Sequence, residues 1–159
     1  MLEQYNDIRF KIVAPKEKCG AFENMQNVTI VSGLNDDELV ACYRQASCLL
    51  MTVECATANN AIVEALACGV PIVSENIGGI AEYTGTDSAL LCEPGSVEGL
   101  TTAILTLYEQ REQAEKMGRF ARQRGKELEW PLVATRTIRV YEQILSDFAR
   151  SRRGLPHSP

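Results

Sequence analysis

The chain has 159 residues, 45% of them hydrophobic, with 16 basic and 21 acidic side chains, a formal charge of −5 and a single histidine. That size fits one globular domain able to bury roughly 70% of the surface its unfolded chain exposes. The acidic balance argues against a nucleic-acid partner, which calls for a basic face, and no apolar run approaches the roughly 18 residues of a membrane-spanning helix.

The six cysteines, Cys19, Cys42, Cys48, Cys55, Cys68 and Cys92, contain no Cys-x-x-Cys pair, and several sit in apolar runs. Free buried thiols behave this way in a reducing compartment, so no metal role is expected for them. The start, MLEQYNDIRFK, is too charged for a secretory signal. A cytoplasmic domain is expected, with amphipathic C-terminal segments compatible with peripheral contact at a membrane. The one basic cluster, Arg150, Arg152 and Arg153, reads as a solvated tail.

Strand-like and helix-like stretches alternate from the start. Residues 8–14, IRFKIVA, alternate apolar and basic side chains until Pro15 and Gly20 break the pattern, and residues 27–33, NVTIVSG, form a second β-branched run closed by glycine. In NDDELVACYRQA, Asn35 is placed to cap and Glu38 to complete a capping box. Leu39, Cys42, Tyr43 and Ala46 share one helical face.

Residues 48–52, CLLMT, are continuously apolar, the pattern of a central strand covered on both faces. The next stretch, ANNAIVEALACG, offers Asn59 or Asn60 near its start and Gly69 past its end, which brackets a helix. Residues 70–74 predict another buried strand, NIGGIAEY a turn into a short helix, and residues 89–95 a last strand ended by Pro94.

From Ser96 onward the pattern is helical. Three apolar stripes are expected: Val97, Leu100, Ile104, Leu105 and Tyr108; Met117, Phe120, Ala121 and Leu128; Ile138, Tyr141, Leu145 and Phe148. Mixed charges between Glu109 and Glu129 read as a solvated face, and Pro131 suits the first turn of the final helix.

Strands separated by helical segments imply a parallel sheet of about five strands flanked by helices, with ligands at the carboxyl ends of the strands. Three loops qualify: VECATANN, ENIGG and SGLND. Gly78 and Gly79 would let backbone N–H groups approach an anion at a helix start, or form a plain turn. The spaced glycine fingerprint of dinucleotide-binding folds is absent, which disfavours a nicotinamide cofactor. Glu64 interrupts an apolar helix one turn in; a carboxylate there either accepts hydrogen bonds from vicinal hydroxyls, as on a ribose, or caps neighbouring backbone N–H groups. His157 lies in a Gly/Pro/Ser tail, and no Ser-His-Asp or Cys-His set can be assembled.

The blocks NVTIVSGLNDDELVACYRQA, VEALACGVPIVSENIGGIAEY and LLCEPGSVEGLTTAI resemble the C-terminal donor-binding domain of GT-B glycosyltransferases, in the large retaining group called glycosyl transferases group 1. The likeness runs over residues 27–141. It implies a Rossmann-like nucleotide-sugar-binding domain over residues 1–150 with a flexible tail at 151–159. It also implies that Glu64 holds the ribose of a nucleotide-sugar (NDP-sugar), that residues 58–62, including Asn59, Asn60, Ala61 and Ile62, offer N–H groups to diphosphate or sugar, and that Gly78 and Gly79 lie beside them. No metal or other cofactor is implied.

Two departures qualify the resemblance. Where the family places a second glutamate on the transferred sugar this sequence has Ala56, with Glu54 two residues earlier. The family's first strand and helix, and the arginine and lysine that neutralise the diphosphate, would precede residue 8, so the chain is expected to be N-terminally incomplete. The missing strand would lie between the strands at 8–14 and 48–52, which are then expected either to pair directly or to draw in a second copy of the chain. Two functional classes follow: a donor-binding domain inactive alone, working with an acceptor domain or a second copy, or a non-catalytic nucleotide-binding or regulatory module.

Overall fold

The computed structural model describes Tyr5, residues 7–55 and residues 59–153, the side chains of 151–153 excepted. Ala56, Ala58 and His157 lie outside the described residues. The chain divides into two compact units, Met1–Cys42 and Tyr43–Pro159, with the division falling inside one helix.

In the first unit, β1 (Phe10–Val13) pairs in parallel with β2 (Val28–Val31), Phe10 opposite Val28. Phe10 and Ile12 are half-buried while Lys11 and Val13 are exposed, the period-two pattern of a strand with one wet face. Two short 3-10 turns, Lys16–Lys18 and Gly20–Phe22, follow β1. The helix α1 (Asp36–Gln45) starts at a reciprocal capping box. The Asn35 amide donates to Glu38 Oε2 at 2.8 Å and the Glu38 amide to Asn35 Oδ1 at 3.0 Å.

The second unit holds β3 (Leu49–Met51), β4 (Ile72–Glu75) and β5 (Ala89–Cys92), all parallel and ordered β3-β4-β5. The five expected strands are present, divided between two ladders. Residues 48–52 do not supply the central strand of this sheet: β3 is at its edge and β4 takes the middle, with Ile72, Val73 and Ser74 fully buried. An apolar run marks a strand whose faces are covered, and it carries no information about which edges are hydrogen-bonded. Within the units, β1 is bonded to β2 and β3 to β4.

Helices cover both faces of the three-stranded sheet. They are α2 (Asn60–Cys68), α3 (Ile80–Thr84), α4 (Val97–Glu109) and α5 (Arg111–Glu127), followed by α6 (Trp130–Arg153). Adjacent residues of β4 serve opposite faces, as the pleat requires. Ile72 packs with Ile62, Leu66, Ile80 and Ala121, and Val73 packs with Ala103, Leu107 and Met117.

The helix α5 lies against α2 at backbone distance. A methyl group at Gly125 would fall 2.7 Å from the Cα and N of Ala67, and one at Gly118 2.8 Å from the carbonyl oxygen of Gly69, so only glycine permits this approach.

Two of the expected stripes shift. On α4 the buried positions are Ala103 and Leu107, with Leu100 and Ile104 packed beside them, while Val97 is 76% exposed and Tyr108 also faces outward. Val97 is the first residue of α4, before the turn in which side chains meet the sheet. On α5 Met117 and Ala121 are buried but Phe120 is exposed, with the Lys116 ammonium 6.0 Å from its ring centre. The third stripe is intact as a pattern and uncovered: Ile138, Tyr141, Leu145 and Phe148 are each more than half exposed along the 24-residue α6. No helix among the described residues is long and apolar enough to cross a membrane.

Candidate functional site

In the second unit the carboxyl ends of the strands fall at Met51, Glu75 and Cys92. This edge is braced. The buried Ser74 hydroxyl donates to the Met51 carbonyl at 2.9 Å, across β3 and β4. The Asn76 amide donates to the Cys92 carbonyl at 2.8 Å, and the Gly95 amide to Glu75 Oε1 at 2.6 Å. Glu75 is thereby spent on holding the loop after β5. Burial, and then the Glu75 charge, push the Cys92 thiol up from its ordinary range.

Next to this edge α2 begins. Asn59 is its cap, in extended conformation, with Oδ1 accepting from the amides of Ala61 at 2.9 Å and Ile62 at 3.4 Å. Its Nδ2 lies 3.6 Å from the Met51 sulfur, which ties the cap to the end of β3. The helix ends at Gly69, where φ is +77° and the glycine amide bonds back to the last carbonyls. Both caps are as expected from ANNAIVEALACG. The Ala61 and Ile62 N–H groups are thus already given to Asn59, and an anion would reach them only by displacing that side chain.

Glu64 lies one turn into α2, on the exposed face opposite Ile62, Ala65 and Leu66. Its Oε2 accepts a hydrogen bond from the Tyr43 hydroxyl at 3.0 Å. Among the described residues Oε1 accepts none, and Glu64 caps no backbone N–H. The helix N-terminus is capped by Asn59 instead. Burial chiefly, together with the bond to Glu64 and its charge, raises the Tyr43 phenol well above its ordinary range. Tyr43 is the residue that sequence reasoning assigned only to the apolar face of α1. The available signal was a hydroxyl at the end of an otherwise apolar stripe, which needs a partner when half-buried.

The remaining expected residues are placed as follows. Gly78, at φ +57°, and Gly79 lead into α3, and Ile80 behind them packs into the same cluster as Ile62, so this turn and the start of α2 share one underlying core. With five residues, α3 aligns few peptide dipoles, and its N-terminus offers an anion less than a full helix would. Glu54 is exposed in the loop after β3, and among the described residues no hydrogen bond or ion pair links it to α2. No group of three His, Cys, Asp or Glu side chains suited to a metal ion occurs among the described residues. In the first unit, an open cavity of about 590 Å³ lies at the ends of β1 and β2, bordered by Val13, Lys16, Ser32 and Gly33 of the SGLND side.

A carboxylate held on a helix surface beside the carboxyl edge of a parallel sheet is where α/β folds bind polar ligands. Residues 11–124 match the family described as glycosyl transferases group 1. The chain belongs to that family. The MMP alpha-(1->4)-mannosyltransferase of Mycolicibacterium hassiacum is 29% identical over 90% of this chain and 37% of its own length. A glycogen synthase of Mycobacterium tuberculosis is 32% identical over 70% of this chain and 27% of its own. The chain thus spans well under half the length of these curated relatives.

Among solved structures, sucrose-phosphate synthase from Thermosynechococcus elongatus superposes with a TM-score of 0.69 at 22% identity, over 83% of this chain and 34% of that one. A glycosyltransferase from Rickettsia africae gives 0.70 at 19% identity, over 91% and 42%. At these identities the structures show the fold alone, and it is the Rossmann-like α/β fold of GT-B glycosyltransferases.

Proposed function

We propose that this family member is the donor-binding domain of a glycosyltransferase, which anchors a nucleotide-sugar while its sugar passes to an acceptor held by other sequence or by a second copy. In this reading Glu64 accepts hydrogen bonds from the ribose hydroxyls. Residues 59–62 and the Gly78–Gly79 turn face the diphosphate or sugar, Glu54 lies near the transferred sugar, and the domain does not turn over by itself. The observation that carries the reading is the Glu64 carboxylate: exposed at the right sheet edge, used by no backbone N–H, and with Oε1 open to a ligand.

A second reading, a non-catalytic nucleotide-binding module, draws support from Asn59, whose side chain occupies the two N–H groups that would otherwise meet the diphosphate.

A thermal-shift panel of UDP-glucose, GDP-mannose, ADP-glucose and the bare nucleoside diphosphates tests donor binding, since a ligand at a hundred times its Kd adds about 2.7 kcal/mol of stability. One nucleotide-sugar is expected to raise Tm above its diphosphate alone. A shift equal for the two favours the second reading, and no shift with any member removes both. Glu64→Ala is expected to weaken the responding ligand by about 10- to 100-fold, the worth of hydrogen bonds to a charged group.

A further inference from the structure

We propose that Tyr43 is a positioning residue for ligand recognition: its hydroxyl fixes the Glu64 carboxylate so that the other oxygen is presented, already oriented, to a pair of vicinal hydroxyls. The inference rests on the reading of Glu64 as the ribose-binding carboxylate and adds a residue that the reading itself does not require.

The geometry is specific. Tyr43 lies in the last turn of α1 and packs against the buried cluster to which Ile62, Ala65 and Leu66 of α2 belong. The half-buried ring has two torsions and is restricted by that packing, so its hydroxyl is the less mobile partner of the pair. Glu64 has three torsions and an exposed face, and unaided it would sample several rotamers. The 3.0 Å bond from the phenol to Oε2 selects one of them.

Hydrogen-bond capacity agrees with this division of work. A carboxylate has about four acceptor sites, so a single phenol donor leaves about three for the two hydroxyls of a cis-diol. The phenol remains a donor through the neutral range, because burial and the adjacent carboxylate oppose its ionisation. Ordering of the side chain is then complete before the ligand arrives, which removes its cost from the binding step.

The test compares wild type, Tyr43→Phe, Glu64→Ala and the double variant by titration calorimetry, using whichever of UDP-glucose, GDP-mannose or ADP-glucose gives a thermal shift, and its 2′,3′-dideoxy counterpart. Tyr43→Phe keeps the ring and removes one oxygen. It is expected to weaken the ribose-bearing ligand about 3- to 10-fold, leave the dideoxy ligand unchanged, and add nothing in the Glu64→Ala background. If Glu64→Ala leaves affinity intact, or no probe binds, the ribose reading falls and the positioning role with it. If Glu64→Ala weakens binding but Tyr43→Phe does not change the ratio of ribose to dideoxy affinity, the ribose reading stands and the positioning role is overturned. Equal weakening of both ligands by Tyr43→Phe also overturns it, because that is the signature of a distorted pocket.

Discussion

Arg124 on α5 reaches back to the end of α3, its Nε donating to the Tyr83 carbonyl at 2.8 Å. The same guanidinium also bonds the Glu82 carbonyl and pairs with Glu127 at 2.6 Å. The last carbonyls of a helix have no partner within it, so an arginine fork from another helix closes α3 in place of a further turn. Arg124→Met is expected to lower stability by about 1–3 kcal/mol, the range for hydrogen bonds to a charged group and the carbonyls they leave behind. Urea denaturation checks it: the midpoint falls and the slope stays constant. An unchanged midpoint would mean that water replaces the fork without loss.

Asn59 gives a second, independent prediction about the start of α2. Asn59→Ala removes the acceptor for the Ala61 and Ile62 amides and is expected to cost about 1 kcal/mol, whereas Asn59→Ser, which keeps a capping oxygen, is expected to recover most of it. Equal stability of the two variants would show that the cap contributes nothing.

Alkaline pH should weaken the second unit through Cys48. Burial pushes its thiol from an ordinary value of 9.0 up to about 11. The folded state therefore keeps the proton where the unfolded chain has lost it. Stability from this source is fully present below pH 9 and is lost as pH rises from there through about 11. Denaturation midpoints of wild type and Cys48→Ala between pH 8 and pH 11 should converge as pH rises, and parallel profiles would refute the assignment.

Edge strands motivate the fourth expectation. Among the described residues β3 is hydrogen-bonded on one side only, by β4, and an apolar strand with an unpaired edge is a template for association. Size-exclusion chromatography with light scattering over a concentration series should show mass rising with concentration. A strictly monomeric chain at every concentration would eliminate self-association.

Legibility in the sequence followed the range of the forces involved. The caps were readable because Asn35 with Glu38, and Asn59 with Gly69, act over three to ten residues of chain. Strand existence was readable from β-branched runs at β1, β2 and β4 and from short apolar runs at β3 and β5. What was not readable depends on partners distant in sequence: the edge position of β3, the inward turn of Ala103 and Leu107 rather than Val97 and Tyr108, and the Tyr43 hydroxyl on a carboxylate 21 residues away. Glu64 itself stood out because a charge in an apolar helix demands an explanation, whereas a tyrosine in an apolar stripe does not.

The backbone-to-backbone seam between α2 and α5 changes what a loss of activity would mean here. In a screen that records only survival of function, any residue larger than glycine at Gly118 or Gly125 would score like a change at Glu64, although neither glycine has a side chain to offer a ligand. Such intolerance at a position reports a shape that must close as readily as a group that must bind. Telling the two apart requires melting curves and ligand titrations on the same variants: the glycines should fail in the first, and Glu64 in the second.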